Sequence, residues 1–136
     1  MDKFIVAVAT DDGKTFTNSH FGDAKKFLIY ELTPQSVTFL KEVENTVEKE
    51  GFHEEHHGDP KKAKGIGQFM KRHGVNVLVG KVFGPNIVRM TPQFVIVLMN
   101  NPTIDQAMEE LKQHWDEIVE NWQQGENRKH LNFKHL

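Results

Sequence analysis

Apolar positions along this chain occur in two patterns: short continuous blocks of β-branched and aromatic residues, and longer stretches at helical spacing. Phe4-Ile5-Val6-Ala7-Val8-Ala9 is the first block. Its lack of polar interruption predicts a strand covered on both faces. The block stops at Thr10-Asp11-Asp12-Gly13, a strong turn signal, and a polar loop continues through Thr17-Asn18-Ser19-His20-Phe21-Gly22. Lys26 to Leu32 reads as a second strand, and Val37 to Val43 alternates like a third with one exposed face. The short connection Thr33-Pro34-Gln35-Ser36 makes this pair an antiparallel hairpin.

Residues 44 to 59 form a long polar segment. Asp59 then suits an N-cap and Pro60 the first helical position, where its missing N–H costs nothing. Ala63, Ile66, Gly67 and Met70 follow at helical spacing until Gly74 ends the helix. Lys61, Lys62, Lys64, Lys71 and Arg72 read as its solvated outer face. Val75 to Val79 is a buried strand ending at Gly80, followed by Lys81-Val82-Phe83-Gly84-Pro85-Asn86 and a turn or two of helix from Ile87 to Met90. Phe94 to Met99 is another apolar strand, broken by Asn100-Asn101-Pro102. Thr103 with Gln106 opens a last helix that puts Ile104, Ala107, Met108, Leu111, Trp115, Ile118, Val119 and Trp122 on one face. The two tryptophans continue that stripe, which makes them core cover rather than a ligand platform. The expected organisation is a single α/β domain over residues 1–122 with a polar, frayed tail over 123–136, to which Leu131-Asn132-Phe133 could add a final contact.

The element order β-β-β-α-β-α-β-α, with right-handed crossovers, gives a five-stranded mixed sheet of order 3-2-1-4-5 with helices on both faces. Loops leaving strands one, three, four and five then emerge on one edge, the carboxyl edge where open α/β sheets bind ligands. That topology brings His20 toward the polar segment although more than thirty residues separate them.

Composition changes the picture in two ways. A formal charge of −2 offers no overall basic field for nucleic acid. The chain has no cysteine, which excludes disulfides, a thiol nucleophile and thiolate ligation of zinc or iron–sulfur clusters by its own side chains. The start at Met1 shows no signal-peptide pattern, and no apolar run reaches the roughly 18 residues that a membrane span needs. A cytoplasmic protein without membrane or nucleic-acid partners is expected.

The candidate chemistry is concentrated in Gly51-Phe52-His53-Glu54-Glu55-His56-His57-Gly58-Asp59-Pro60. Imidazole and carboxylate are the nitrogen and oxygen ligands of divalent transition metals. His20, His53, His56 and His57 are therefore the candidate metal ligands, with Glu54, Glu55 or Asp59 as supporting oxygen donors. The competing reading is a solvated acidic loop that happens to carry histidines. Gly22, Gly80 and Gly84 flank the cleft, where backbone N–H groups can approach a guest.

With those residues assembled, the chain resembles the dinitrogenase iron–molybdenum cofactor biosynthesis family. The resemblance rests on Ile5-Val6-Ala7-Val8-Ala9-Thr10-Asp11-Asp12-Gly13-Lys14, on Ser19-His20-Phe21-Gly22-Asp23-Ala24 leading into Phe27-Leu28-Ile29-Tyr30-Glu31, and on Gly74-Val75, Val77-Leu78-Val79-Gly80 and Phe83-Gly84-Pro85-Asn86. It covers roughly residues 4 to 112. It implies a ribonuclease H-like fold and the binding or escort of an iron–sulfur or iron–molybdenum-type cluster, with cluster-donor and cluster-acceptor proteins as partners. Thr10, Asn18, Ser19, His20, Phe21, Gly22, Gly80, Phe83 and Gly84 form the candidate cofactor-binding set. The leading expectation is a non-enzymatic carrier of a cluster or divalent metal. The alternatives are a metal-dependent hydrolase of ribonuclease H type and a metal-free regulatory domain.

Overall fold

The computed structural model describes residues 2–47 and 60–136, with the side chains of the first helix from Lys64 onward. His53, His56 and His57, together with Glu54, Glu55 and Asp59, lie outside the described residues. The elements are β1 (Phe4–Thr10), β2 (Lys26–Leu32), β3 (Val37–Glu44), α1 (Pro60–Arg72), β4 (Val77–Gly80), α2 (Ile87–Met90), β5 (Val95–Leu98), α3 (Ile104–Gln113), α4 (Trp115–Gln123) and β6 (Leu131–Asn132).

The sheet runs β3-β2-β1-β4-β5-β6. β1 pairs antiparallel with β2, Phe4 opposite Leu32, and parallel with β4, Val6 opposite Val77. Alternate residues of each strand feed two cores. Val6, Val8, Val77, Val79, Val95 and Val97 face α3 and α4, which bring Ile104, Met108, Leu111 and Ile118. Ala7, Ala9, Phe27, Leu78 and Ile96 face the other way, against Ile66, Phe69 and Met70 of α1 and Met90 of α2. The mixed α/β class and the order 3-2-1-4-5 stand as read from the pattern, with one correction. The sheet has six strands, not five.

The sixth comes from the polar segment after residue 122. Leu131 pairs with Val97 in parallel, and the Phe133 N–H donates to Leu98 O at 2.9 Å. Side chains pin this return. Asn100 and His135 exchange two bonds, Asn100 Nδ2 to His135 O at 2.7 Å and His135 N to Asn100 Oδ1 at 2.8 Å. Arg128 is buried, and its guanidinium donates to Pro92 O at 3.0 Å and Trp122 O at 2.8 Å while lying 4.7 Å from the Trp122 ring centre. Burial pushes its pKa down from the usual arginine value.

The last helix also departs from the sequence pattern. It breaks at His114, whose φ of −97° and ψ of 19° end α3 and start α4. His114 stacks on Phe133 at 3.8 Å and bonds Glu117 through Nδ1 at 2.6 Å. Beyond the break, Trp115 and Trp122 both reach Phe4, at 5.1 and 5.9 Å between ring centres. Among the described residues no helix is long and apolar enough to cross a membrane.

Candidate functional site

Two loops meet at the carboxyl edge of β1 and β4, and aromatic packing fixes their relation. Phe21 and Phe83 stack nearly parallel, 4.9 Å between centres and 8° between planes. The Phe21 N–H donates to Val82 O at 2.7 Å, joining the loops through backbone as well. Gly80 lies beneath the pair: a Cβ there would sit 3.2 Å from Phe21 and 3.3 Å from Phe83. The glycine therefore makes room for two rings.

His20 precedes this anchor and is half-buried. Its ring lies over Gly84, where a Cβ would fall 2.7 Å from Nδ1 and 2.8 Å from Cε1. Gly84 also has φ of +68°, in the left-handed region. Both its backbone and its missing side chain are thus needed for the imidazole to rest where it does. The His20 carbonyl accepts from Asp23 N at 2.8 Å in a short 3₁₀ turn.

The chain leaving β3 is tied to the same loop. Asn45 Nδ2 donates to Gly22 O at 2.9 Å and Ala24 O at 2.8 Å, and Val47 packs in one core with Phe21 and Ala24. The sequence pattern left Asn45 unread, because one Asn in a polar run carries no periodic signal.

The loop after β1 is self-bonded. Buried Thr10 donates to Thr15 O at 2.6 Å and accepts from Gly13 N at 3.0 Å. Asp12 accepts from Lys14 N, Thr15 N and Thr15 Oγ1, each at 2.8 Å. The Thr15 and Lys14 backbone bonds hold its carboxyl well below the usual carboxylate range. Asp11 accepts from Thr17 Oγ1 at 2.8 Å and Lys25 N at 2.9 Å. Both acids are tied into loop structure.

Of the candidate set, Thr10, Phe21, Gly80 and Phe83 are buried supports, while Asn18, Ser19, His20, Gly22 and Gly84 line the rim. Asn18 crosses the gap, accepting from Lys81 Nζ at 3.0 Å. Among the described residues no three His, Asp or Glu side chains form a metal site.

The family model for dinitrogenase iron-molybdenum cofactor proteins matches residues 2–114. The chain belongs to this family. A crystal structure from Methanocaldococcus jannaschii, carrying a provisional dinitrogenase name, is similar at a TM-score of 0.56 and 20% identity, covering 83% of this chain and 91% of that one. At that identity the likeness speaks for the fold alone. No functionally curated protein matches the chain. The matched span of this family member includes the His20 loop, the Gly80–Gly84 loop and the segment between β3 and α1. It stops short of β6.

Proposed function

We propose that this family member is a non-enzymatic carrier that binds a metal centre, either a divalent transition metal or an iron–sulfur or iron–molybdenum-type cluster, as cargo. His20 would ligate it together with His53, His56 and His57. The observation that carries this reading is the presentation of His20. A half-buried imidazole rests on a side-chain-free glycine at the sheet edge, and two stacked phenylalanines fix its loop. The described residues supply too few donors around His20 for a complete site, so the reading requires ligands from another segment. The histidine-rich segment fits, since Asn45 and Val47 run beside the His20 loop just before it. Without cysteine, the chain offers a cluster no thiolate, so imidazole and carboxylate would be its ligands. The reading also places the protein in the cytoplasm, receiving from a cluster-donating protein and delivering to an acceptor.

Anaerobic purification without an affinity tag, followed by elemental analysis for Fe, Mo, Ni, Cu and Zn, tests what the chain carries. Titration of apo-protein with Ni²⁺ at pH 8 and pH 5.5 then tests the donor set. Imidazole must be deprotonated to ligate, and its reference pKa is about 6.5, so affinity should fall sharply at the lower pH. His20→Ala and the triple variant His53→Ala/His56→Ala/His57→Ala should each weaken binding. Equal affinity at both pH values, or a triple variant binding like the parent, overturns the assignment.

A further inference from the structure

Beside the His20 rim, toward the side of the sheet that α3 covers, lies a concave site of about 210 Å³. Thr15, Phe16 and Asn18 line it from the loop after β1, Lys81 from the loop after β4, and Asn100 to Pro102 from the turn after β5. Three carboxyl-edge loops therefore converge on it, where an open α/β sheet places ligands. The site is a half-open concavity with room for more than one water molecule.

The charge of the site is one-sided. Among the described residues Lys81 has no carboxylate partner; its ammonium donates to Asn18 Oδ1 at 3.0 Å. An ammonium has no acceptor, so the oxygen of Asn18 must face it. The Asn18 amide nitrogen is thereby left as a second donor, on an exposed side chain. The nearby acids are engaged elsewhere: Asp11 and Asp12 within their own loop, and Glu110, behind Asn101, with His135, His114 and Asn101 Nδ2. Phe16 and Pro102 are the apolar members of its lining.

We infer that this cavity binds a small organic anion, its carboxylate or phosphate group on Lys81 Nζ and Asn18 Nδ2 and its carbon skeleton against Phe16 and Pro102. The site uses neither His20 nor the histidine segment, so it stands or falls apart from the carrier reading.

The test is a titration of the ¹⁵N-labelled full chain with malonate, glycerol 3-phosphate, inorganic phosphate and, as a neutral control, glycerol. Saturable amide shifts centred on Asn18, Lys81, Asn100 and Asn101 are expected for at least one organic anion and not for glycerol. Comparison of malonate with glycerol 3-phosphate separates carboxylate from phosphate recognition. An equal response to inorganic phosphate alone would refute the role given to the carbon skeleton. Lys81→Met should weaken binding about tenfold or more, because charge-assisted bonds are the strong ones. Asn18→Asp should weaken it too, by placing a carboxylate on the ammonium, whereas Lys81→Arg should retain most of the affinity. His20→Ala should bind the anion like the parent and lose only metal affinity. Thermal melting confirms that each variant is folded. No saturable shift with any anion, or an undiminished response in Lys81→Met, overturns the inference.

Discussion

Gly84→Ala gives the sharpest test of how His20 is held. Two costs can be separated on paper. Alanine at φ +68° must adopt the left-handed region, which costs an L-residue about 1–2 kcal/mol. Its methyl group would also stand 2.7 Å from His20 Nδ1, well inside ordinary contact at 3.4 Å or more. A half-buried ring can swing outward, so this second cost is an off-rotamer penalty of about 1 kcal/mol rather than a core overpacking. The expected loss is about 2–3 kcal/mol in all. In a His20→Ala background the ring is gone and the loss should shrink to the backbone part, about 1–2 kcal/mol. Urea unfolding followed by tryptophan fluorescence reports it, since Trp115 and Trp122 pack on Phe4 in the core. Four proteins complete the cycle: parent, each single variant and the double. An identical cost of Gly84→Ala in both backgrounds would refute the contact, and no cost in either would refute the backbone argument as well.

Arg128→Met should lower stability by about 2–4 kcal/mol in the same assay, because methionine fills space but leaves the carbonyls of Pro92 and Trp122 without their donor; a change below about 0.5 kcal/mol would make the buried guanidinium incidental. Asp12→Asn should destabilise at neutral pH, and the gap from the parent should close on acidification. The folded-state pKa of Asp12 is depressed, so its contribution is present above the unfolded value of about 3.9 and is lost as pH falls through the lower folded value. Urea midpoints at pH 6, 4 and 2.5 check it, and a gap that widens toward acid would reverse the sign of the argument.

Much of the scaffold is legible because burial is written into the chain directly. Phe4 to Ala9 and Phe94 to Met99 are apolar on both faces, and the only place for such strands is under two helical layers. The sixth strand was less legible for an equally physical reason. Leu131–Asn132 is too short for a period, and what holds it is long-range: the Asn100 amide, the Arg128 guanidinium and the partner strand β5. The break at His114 is invisible because the apolar stripe continues through it from Leu111 to Ile118, both buried in one core. Within the site, the His-Phe-Gly and Gly-rich loops do meet, joined by the Phe21–Phe83 stack. The pattern could not divide rim from support, however. Only the side-chain environment reveals that Gly80 accommodates two rings and Thr10 ties a turn. Lys81 is a single charge in a loop, and nothing in the chain near it announces a cavity wall.

The double clasp between Asn100 and His135 links the last strand to the cavity, because Asn100 belongs to both. A guest on the proposed anion site that contacts Asn100 only in its clasped arrangement would couple opening of β6 to its own occupancy. Linkage is reciprocal: a guest that favours the clasped form must slow hydrogen exchange at the amides of Phe133 and His135, and a partner that peels the segment away must weaken the guest by the same factor. The segment that closes the sheet thus reaches a residue that lines its carboxyl edge.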